Sequence, residues 1–159
     1  MCEVVSAVSA AHLVIIGGGG ESQRVLKQSQ ALGIADRVHL VGKKSFFELP
    51  LFLNASDVLV VPSLWLEHFG QVTVDAMSCG IPAVTSDVGG SPEININGKT
   101  GFVVQTGDSS ALARAVTKLL TDENLRQVFG QNARRRVLEN YTYEILVDKF
   151  FKVIEDVRK

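Results

Sequence analysis

Five short apolar runs, each closed by turn residues, limit what this chain can fold into. They are HLVIIG at 12–17, RVHLVG at 37–42, DVLVVP at 57–62, IPAVTS at 81–86 and GFVVQ at 101–105. Four of them are continuously apolar rather than alternating, the pattern of strands covered on both faces. Helical segments over roughly 21–33, 46–55 and 70–79 separate most of them, and such alternation predicts a mostly parallel sheet with right-handed crossovers. After residue 106 the pattern turns wholly helical. Ala111, Leu112, Ala115, Val116, Leu119 and Leu120 recur at period 3.6, with Asp108 or Ser109 as the cap. A second helix is expected over Glu123–Glu139 and a third over Tyr143–Val157. The first ten residues read as the tail of an amphipathic helix, so the chain is expected to begin mid-fold.

Composition removes several functions. A chain of 159 residues is one domain by length and large enough for a proper core. Sixteen basic and 17 acidic side chains leave a net charge of −1, which gives no electrostatic case for a nucleic-acid partner. No apolar run is long enough to span a membrane, and the amino terminus lacks the basic lead of a secretory signal. Cys2 and Cys79 form no metal-ligand or redox spacing and are expected to be free thiols in a reducing, cytoplasmic setting.

The segment 70–79 carries the first functional signal. At about 100° per residue, Gln71, Asp75 and Ser78 fall within one narrow arc of a helix. Val72, Val74, Ala76, Met77 and Cys79 cover most of the remainder, with Thr73 interrupting. A polar stripe on an otherwise apolar helix needs a polar partner. The bland alternative pairs Asp75 with a core Arg or a backbone amide.

Position adds weight to a ligand. This helix starts at Phe69-Gly70, just past the end of a strand, where open α/β sheets offer free amides and a positive dipole end to phosphate-bearing ligands. Glu67 stands on the loop before it and would repel a phosphate unless it meets hydroxyl groups. Two more glycine turns follow strands: GGGGES at 17–22 and SDVGGSPEI at 86–94, where Gly89 and Gly90 allow close approach and Pro92 and Glu93 suit a first helical turn. GGGGES does not satisfy the dinucleotide fingerprint, which argues against a dehydrogenase. Three such turns are expected on one edge of the sheet.

These residues carry a family resemblance. PSLWLEHFGQVTVDAMSCGIPAVTSDVGGSPEININGKTGFVV resembles the signature region of retaining glycosyltransferases of the GT-B fold, of the sucrose-synthase and mannosyltransferase type. The shared pattern is a Ser, a Glu, Phe-Gly, a second acidic residue, Ala-Met, Gly-x-Pro and Gly-Gly-x-x-Glu. The flanking LVIIGGG, DRVHLVGKKSFFELPLFLNASDVLVVPS and ARRRVLENYTYEILVDKF extend the likeness over nearly the whole chain. The resemblance implies a Rossmann-like, three-layer α/β/α domain of about five strands: the carboxyl-terminal, donor-binding half of a two-domain enzyme. It further implies transfer of a hexosyl group from a UDP- or GDP-linked sugar, with retention. The nucleotide-sugar is then a substrate, and no cofactor or metal is called for.

Residue by residue, Glu67 would contact the donor sugar near its reacting carbon and act in catalysis. The amides of Phe69, Gly70 and Gln71 would hold the sugar or its diphosphate. Asp75 would accept hydrogen bonds from the ribose. Gly17, Gly18 and Gly19, with the loop at Lys43, would line the diphosphate and base pockets. Gly89, Gly90 and Glu93 would shape the donor site.

There are two departures. The family usually has Glu where this chain has Asp75, a side chain shorter by one methylene. Its members also carry an earlier acceptor-binding domain, and in this domain a first strand and an Arg…Lys pair that neutralises the leaving diphosphate. CEVVSAVSAA supplies none of these, so the chain is expected to be a piece of a larger enzyme, inactive alone. The missing half would make any peripheral contact with a membrane. The absent strand is expected between HLVII and DVLVV, a gap to be met by direct pairing, by dimerisation or by another chain. The alternative function is a non-catalytic nucleotide-sugar-binding or interaction module. An epimerase of UDP-sugars would share the architecture without an obvious signature here.

Several residues take structural readings. His68 is expected to be a spacer, His12 and His39 structural, and Cys79 buried. Trp65 is expected to plug the core rather than stack on a base or sugar, and Arg134, Arg135 and Arg136 to line a solvated helix face. Lys43 and Lys44 could meet phosphate or face solvent.

Overall fold

The computed structural model describes residues 1–158. Each apolar run contributes one strand: β1 (Leu13–Ile15), β2 (Val38–Leu40), β3 (Leu59–Val61), β4 (Ala83–Ser86) and β5 (Gly101–Val104). Helices alternate with them: α1 (Cys2–Ala7), α2 (Ser22–Ala31), α3 (Leu49–Asn54), α4 (Gln71–Ser78) and α5 (Ser91–Ile94). Three more close the chain: α6 (Ser109–Thr121), α7 (Glu123–Asn140) and α8 (Tyr143–Val157).

All strand pairs are parallel, as the sequence pattern requires. They fall into two sheets: β1 beside β2, with Val14 opposite His39, and β3–β4–β5, with Val84 between Val60 and Phe102. The expected gap is therefore present. β1 and β3 share no ladder, and the direct pairing that would close the gap does not occur.

Burial follows from this arrangement. β4, central in its sheet, is buried at all four residues. Val84 packs with Leu119 and Phe129 beneath α6 and α7. In β1 and β2, by contrast, Val14 and His39 are exposed, so the expectation of cover on both faces fails there. On that open face His12 stacks on His39 and hydrogen-bonds it at 2.9 Å.

One buried polar residue ties β4 to β5. Asn95, fully buried, donates to the carbonyls of Ala83 and Phe102 and to the Thr85 hydroxyl, and accepts from Thr100. An unpaired amide here would cost about 1–3 kcal/mol, so this satisfied hub holds the strands that carry the glycine turn of residues 89 and 90.

Candidate functional site

The helices differ in how their amino ends are closed. Asp108, Asp122 and Thr142 cap α6, α7 and α8, each side chain accepting from the backbone amide three residues on. The helices α2, α3, α4 and α5 have no side-chain cap. At α4 the N-cap is Gly70, in the left-handed region at φ 82°, a conformation that excludes most capping side chains. Its carbonyl takes the amides of Thr73 and Val74, while those of Gln71 and Val72 meet no acceptor among the described residues. An uncapped amino end with free N–H groups is an anion site in waiting.

A second observation points to the same place. Thr73 is fully buried, and among the described residues its hydroxyl is the one buried side-chain oxygen or nitrogen without a hydrogen-bond partner. It lies beside Gly70, 3.7 Å from where a Cβ would stand, and Glu67 Cγ is equally close to that point. Sequence reasoning noted Thr73 only as an interruption in the apolar face. Its burial without a partner depends on tertiary packing that local spacing does not show.

The polar arc of α4 forms, but the helix is not buried nearly all round as its apolar residues lead one to expect: Gln71, Val72 and Ser78 are exposed and Asp75 is half-buried. The Gln71 side-chain amide donates to Asp75 Oδ1 at 2.9 Å, which leaves Oδ2 for another donor. The Ser78 hydroxyl bonds back to the Asp75 carbonyl. No ion pair among the described residues involves Asp75 or Glu67, so the core-Arg alternative for Asp75 does not hold.

The 86–94 turn does different work from that expected. Its amides do not all stay free for a ligand: the Gly90 amide donates to the Glu67 carbonyl at 2.8 Å. A Cβ on Gly89 would overlap that carbonyl oxygen, and one on Gly90 would stand 2.9 Å from the His68 carbonyl. The glycine pair is therefore the seat on which the Glu67 loop rests. Glu93 is exposed, and its contribution is its backbone. The Glu93 carbonyl accepts from Arg136 at 2.6 Å and from the Tyr141 hydroxyl, while Tyr141 meets the Phe69 ring edge-on at 6.0 Å.

Of the run Arg134–Arg136, Arg134 and Arg135 are exposed as expected, and only Arg136 is half-buried. Arg134 donates to the Ser78 carbonyl at the end of α4, and Arg136 to the carbonyls of Glu93 and Ile94. Only Arg135 stays local, on Asn132. Trp65 corrects the expectation of a core plug: it is 74% exposed. Cys79 is half-buried, and both cysteines are free.

The structure gathers Glu67, Phe69, Gly70, Gln71, Asp75, Gly89 and Gly90 into one connected group, with Glu93 joined through Arg136 and Tyr141. Gly17, Gly18, Gly19 and Lys43 lie on the other sheet. The Gly17 amide bonds the Gly42 carbonyl and ties the ends of β1 and β2 together. Gly18, Gly19 and Lys43 are exposed. No hydrogen bond, ion pair or ring contact among the described residues links these four to the α4 group. Lys44 lies over the Phe52 ring, at 5.1 Å.

This α/β domain of parallel strands and many helices matches the carboxyl-terminal domains of GT-B glycosyltransferases. The chain belongs to the glycosyl transferases group 1 family, whose model matches residues 3–136. It is 33% identical to the N-acetyl-alpha-D-glucosaminyl L-malate synthase of Bacillus anthracis over 98% of its own length and 40% of that protein. Among solved structures it is similar to the sucrose-phosphate synthase of Thermosynechococcus elongatus, with 30% identity and a TM-score of 0.83, over 98% of this chain and 42% of that one. Its fold also matches Anabaena HepE, solved with UDP, at 23% identity and a TM-score of 0.86, over 97% of this chain and 44% of that one. The chain thus spans well under half the length of these relatives.

Proposed function

We propose that this domain binds the nucleotide-sugar donor, UDP- or GDP-linked, of a retaining hexosyltransferase, and that it needs a second domain for turnover. The observation that carries the reading is the head of α4. There two unsatisfied amides, an unpartnered Thr73 hydroxyl and Glu67 lie around Gly70, and Asp75 stands one turn along the same helix, bonded to Gln71. The amides stabilise the charge on the diphosphate as it leaves, a role that calls on no metal. Glu67, its backbone fixed by Gly90, accepts from sugar hydroxyls and orients the ring. The free oxygen of Asp75 accepts from the ribose diol, and the Gln71 bond holds the shorter side chain in place. In transfer, the bond from the anomeric carbon to the diphosphate oxygen breaks. A bond to an acceptor oxygen forms on the same face, and the acceptor's proton passes to the departing diphosphate.

The test is calorimetric titration of the chain with UDP, GDP and ADP, repeated on Asp75→Ala. One nucleotide should bind, and the variant should lose about tenfold or more in affinity, the scale of a hydrogen bond to a charged group. Binding of none of the three would overturn the donor reading for this chain. Binding unchanged in the variant would remove Asp75 from the site.

A further inference from the structure

A buried hydroxyl without a partner lowers stability, so the one on Thr73 calls for a reason. This chain's own atoms enclose it, and neither a bound sugar nor a second domain can reach it directly. Its partner must therefore come from the side chains around it. Thr73 stands in the first turn of α4, where side chains tilt toward the amino end of the helix, here toward Gly70 and the Glu67 loop. Thr73 Oγ1 and Glu67 Cγ are each 3.7 Å from the point where a Gly70 Cβ would stand. The third atom near that point is Ile94 Cδ1, which accepts no hydrogen bond. Glu67 is the complementary half of a pair: its half-buried carboxylate has no hydrogen bond or ion pair among the described residues.

We propose that Thr73 is a positioning residue for Glu67. With a donor sugar in place, one Glu67 carboxylate oxygen accepts from a sugar hydroxyl, and the other turns across the bare face of Gly70 to accept from Thr73. The proposal rests on the donor reading, because the sugar brings the pair together. Three features favour the exchange. A sugar displaces water from the carboxylate, and a charge that loses water needs a donor in return. The Gly90 amide already holds the Glu67 carbonyl, so only the side chain has to move. Gly70 has no Cβ to stand between the two groups. The carboxylate that meets the sugar is then fixed through both its backbone and its side chain, which sets the orientation of the ring.

The experiment is calorimetric titration of wild type, Thr73→Val and Thr73→Ser with UDP, UDP-glucose, GDP and GDP-mannose, beside thermal scans without ligand. Valine keeps the shape of threonine and removes the hydroxyl. Thr73→Val should melt about 2–4 °C higher than wild type, because a buried hydroxyl without a partner is gone. It should nevertheless bind the nucleotide-sugar about tenfold more weakly, the scale of a hydrogen bond to a charged group, with affinity for the bare nucleotide unchanged. Thr73→Ser, which keeps the hydroxyl, should recover most of the loss. In a Glu67→Ala background Thr73→Val should bring no further loss, since the hydroxyl acts through the carboxylate. A lower melting temperature with equal losses for nucleotide and nucleotide-sugar would overturn the proposal in favour of a purely structural threonine. Undiminished nucleotide-sugar binding by Thr73→Val would overturn it too, as would additive losses in the Glu67→Ala background. A wild type that binds a nucleotide but not its sugar conjugate sinks the proposal and keeps the nucleotide site. A wild type that binds none of the four sinks the donor reading itself, and the proposal with it.

Discussion

The Glu67 carbonyl accepts a hydrogen bond from the Gly90 amide at 2.8 Å, so the loop after β3 rests directly on the turn after β4. Two motifs separated by more than twenty residues thus form one object. Gly89 and Gly90 leave room for the Glu67–His68 backbone, and the position of Glu67 is set from below by glycines that carry no chemistry of their own.

Gly89→Ala tests this seat. Gly89 has φ 55°, where a Cβ costs roughly 1–2 kcal/mol, and that Cβ would also overlap the Glu67 carbonyl oxygen. The variant should melt several degrees lower in a thermal scan and lose most nucleotide affinity by calorimetry, since Glu67 and the head of α4 must shift together. A variant with lowered melting temperature and intact binding would separate the seat from the site.

Asp75→Glu is expected to act in the opposite direction. Gln71 holds Oδ1 of the shorter side chain, and one added methylene carries the carboxylate toward a ribose while keeping its charge. Nucleotide affinity should rise by a few-fold, whereas Asp75→Asn should lower it by about tenfold, because the amide replaces an ionised acceptor. Weaker binding in Asp75→Glu would mean that the backbone already places Asp75 at the right distance.

How far the sequence reached depends on the range of the interaction concerned. All five strands lie within the apolar runs, although only β4 is buried at every residue and β1 and β2 each leave one side chain exposed. Asp108 caps α6 through the Ala111 amide, one of the two caps expected there, and such local bonds are written in local spacing. Arg136 was not readable in this way. Three consecutive helical residues point in three directions, and Arg136 reaches carbonyls 42 and 43 positions away. Trp65 escaped for a related reason: residue type favours burial, but the anchors at Val61 and Glu67 decide where the loop between them points. In the site itself, Asp75 and Gln71 were legible from the helical arc, whereas Thr73 and the seat formed by Gly89 and Gly90 needed tertiary contacts.

Arg136→Ala should be among the more costly single changes outside the core. The guanidinium donates at 2.9 Å to the Ile94 carbonyl and at 2.6 Å to that of Glu93, and it lies over the Tyr141 ring. Charge-assisted bonds of this kind contribute about 1.5–3 kcal/mol, and the loss would leave the Ile94 carbonyl without this partner and that of Glu93 with only the Tyr141 hydroxyl. Urea unfolding should show a drop of about 2 kcal/mol, with Arg136→Lys recovering less than half because a single ammonium lacks the planar fork. A near-neutral alanine variant would show that water replaces the guanidinium at no cost.

Stability should also fall in acid, and Asp87 shows why. The Thr106 hydroxyl and amide both donate to Asp87 Oδ1 at 2.7 Å, and these bonds, the hydroxyl first, hold its carboxyl below the usual range. Ser45 does the same to Glu48 with its hydroxyl and then its amide. A carboxyl whose folded pKa lies below its unfolded one stabilises the fold fully above the unfolded value, near 4. That contribution is lost as pH falls through the folded value. Urea midpoints should therefore be flat from about pH 7 to 5 and decline below about pH 4. Asp87→Asn removes one such titration, so the gap between variant and wild type should be widest at neutral pH and close as the wild-type carboxyl takes up its proton. Parallel curves for the two proteins down to the lowest pH would mean that the Thr106 bonds do not favour the charged form.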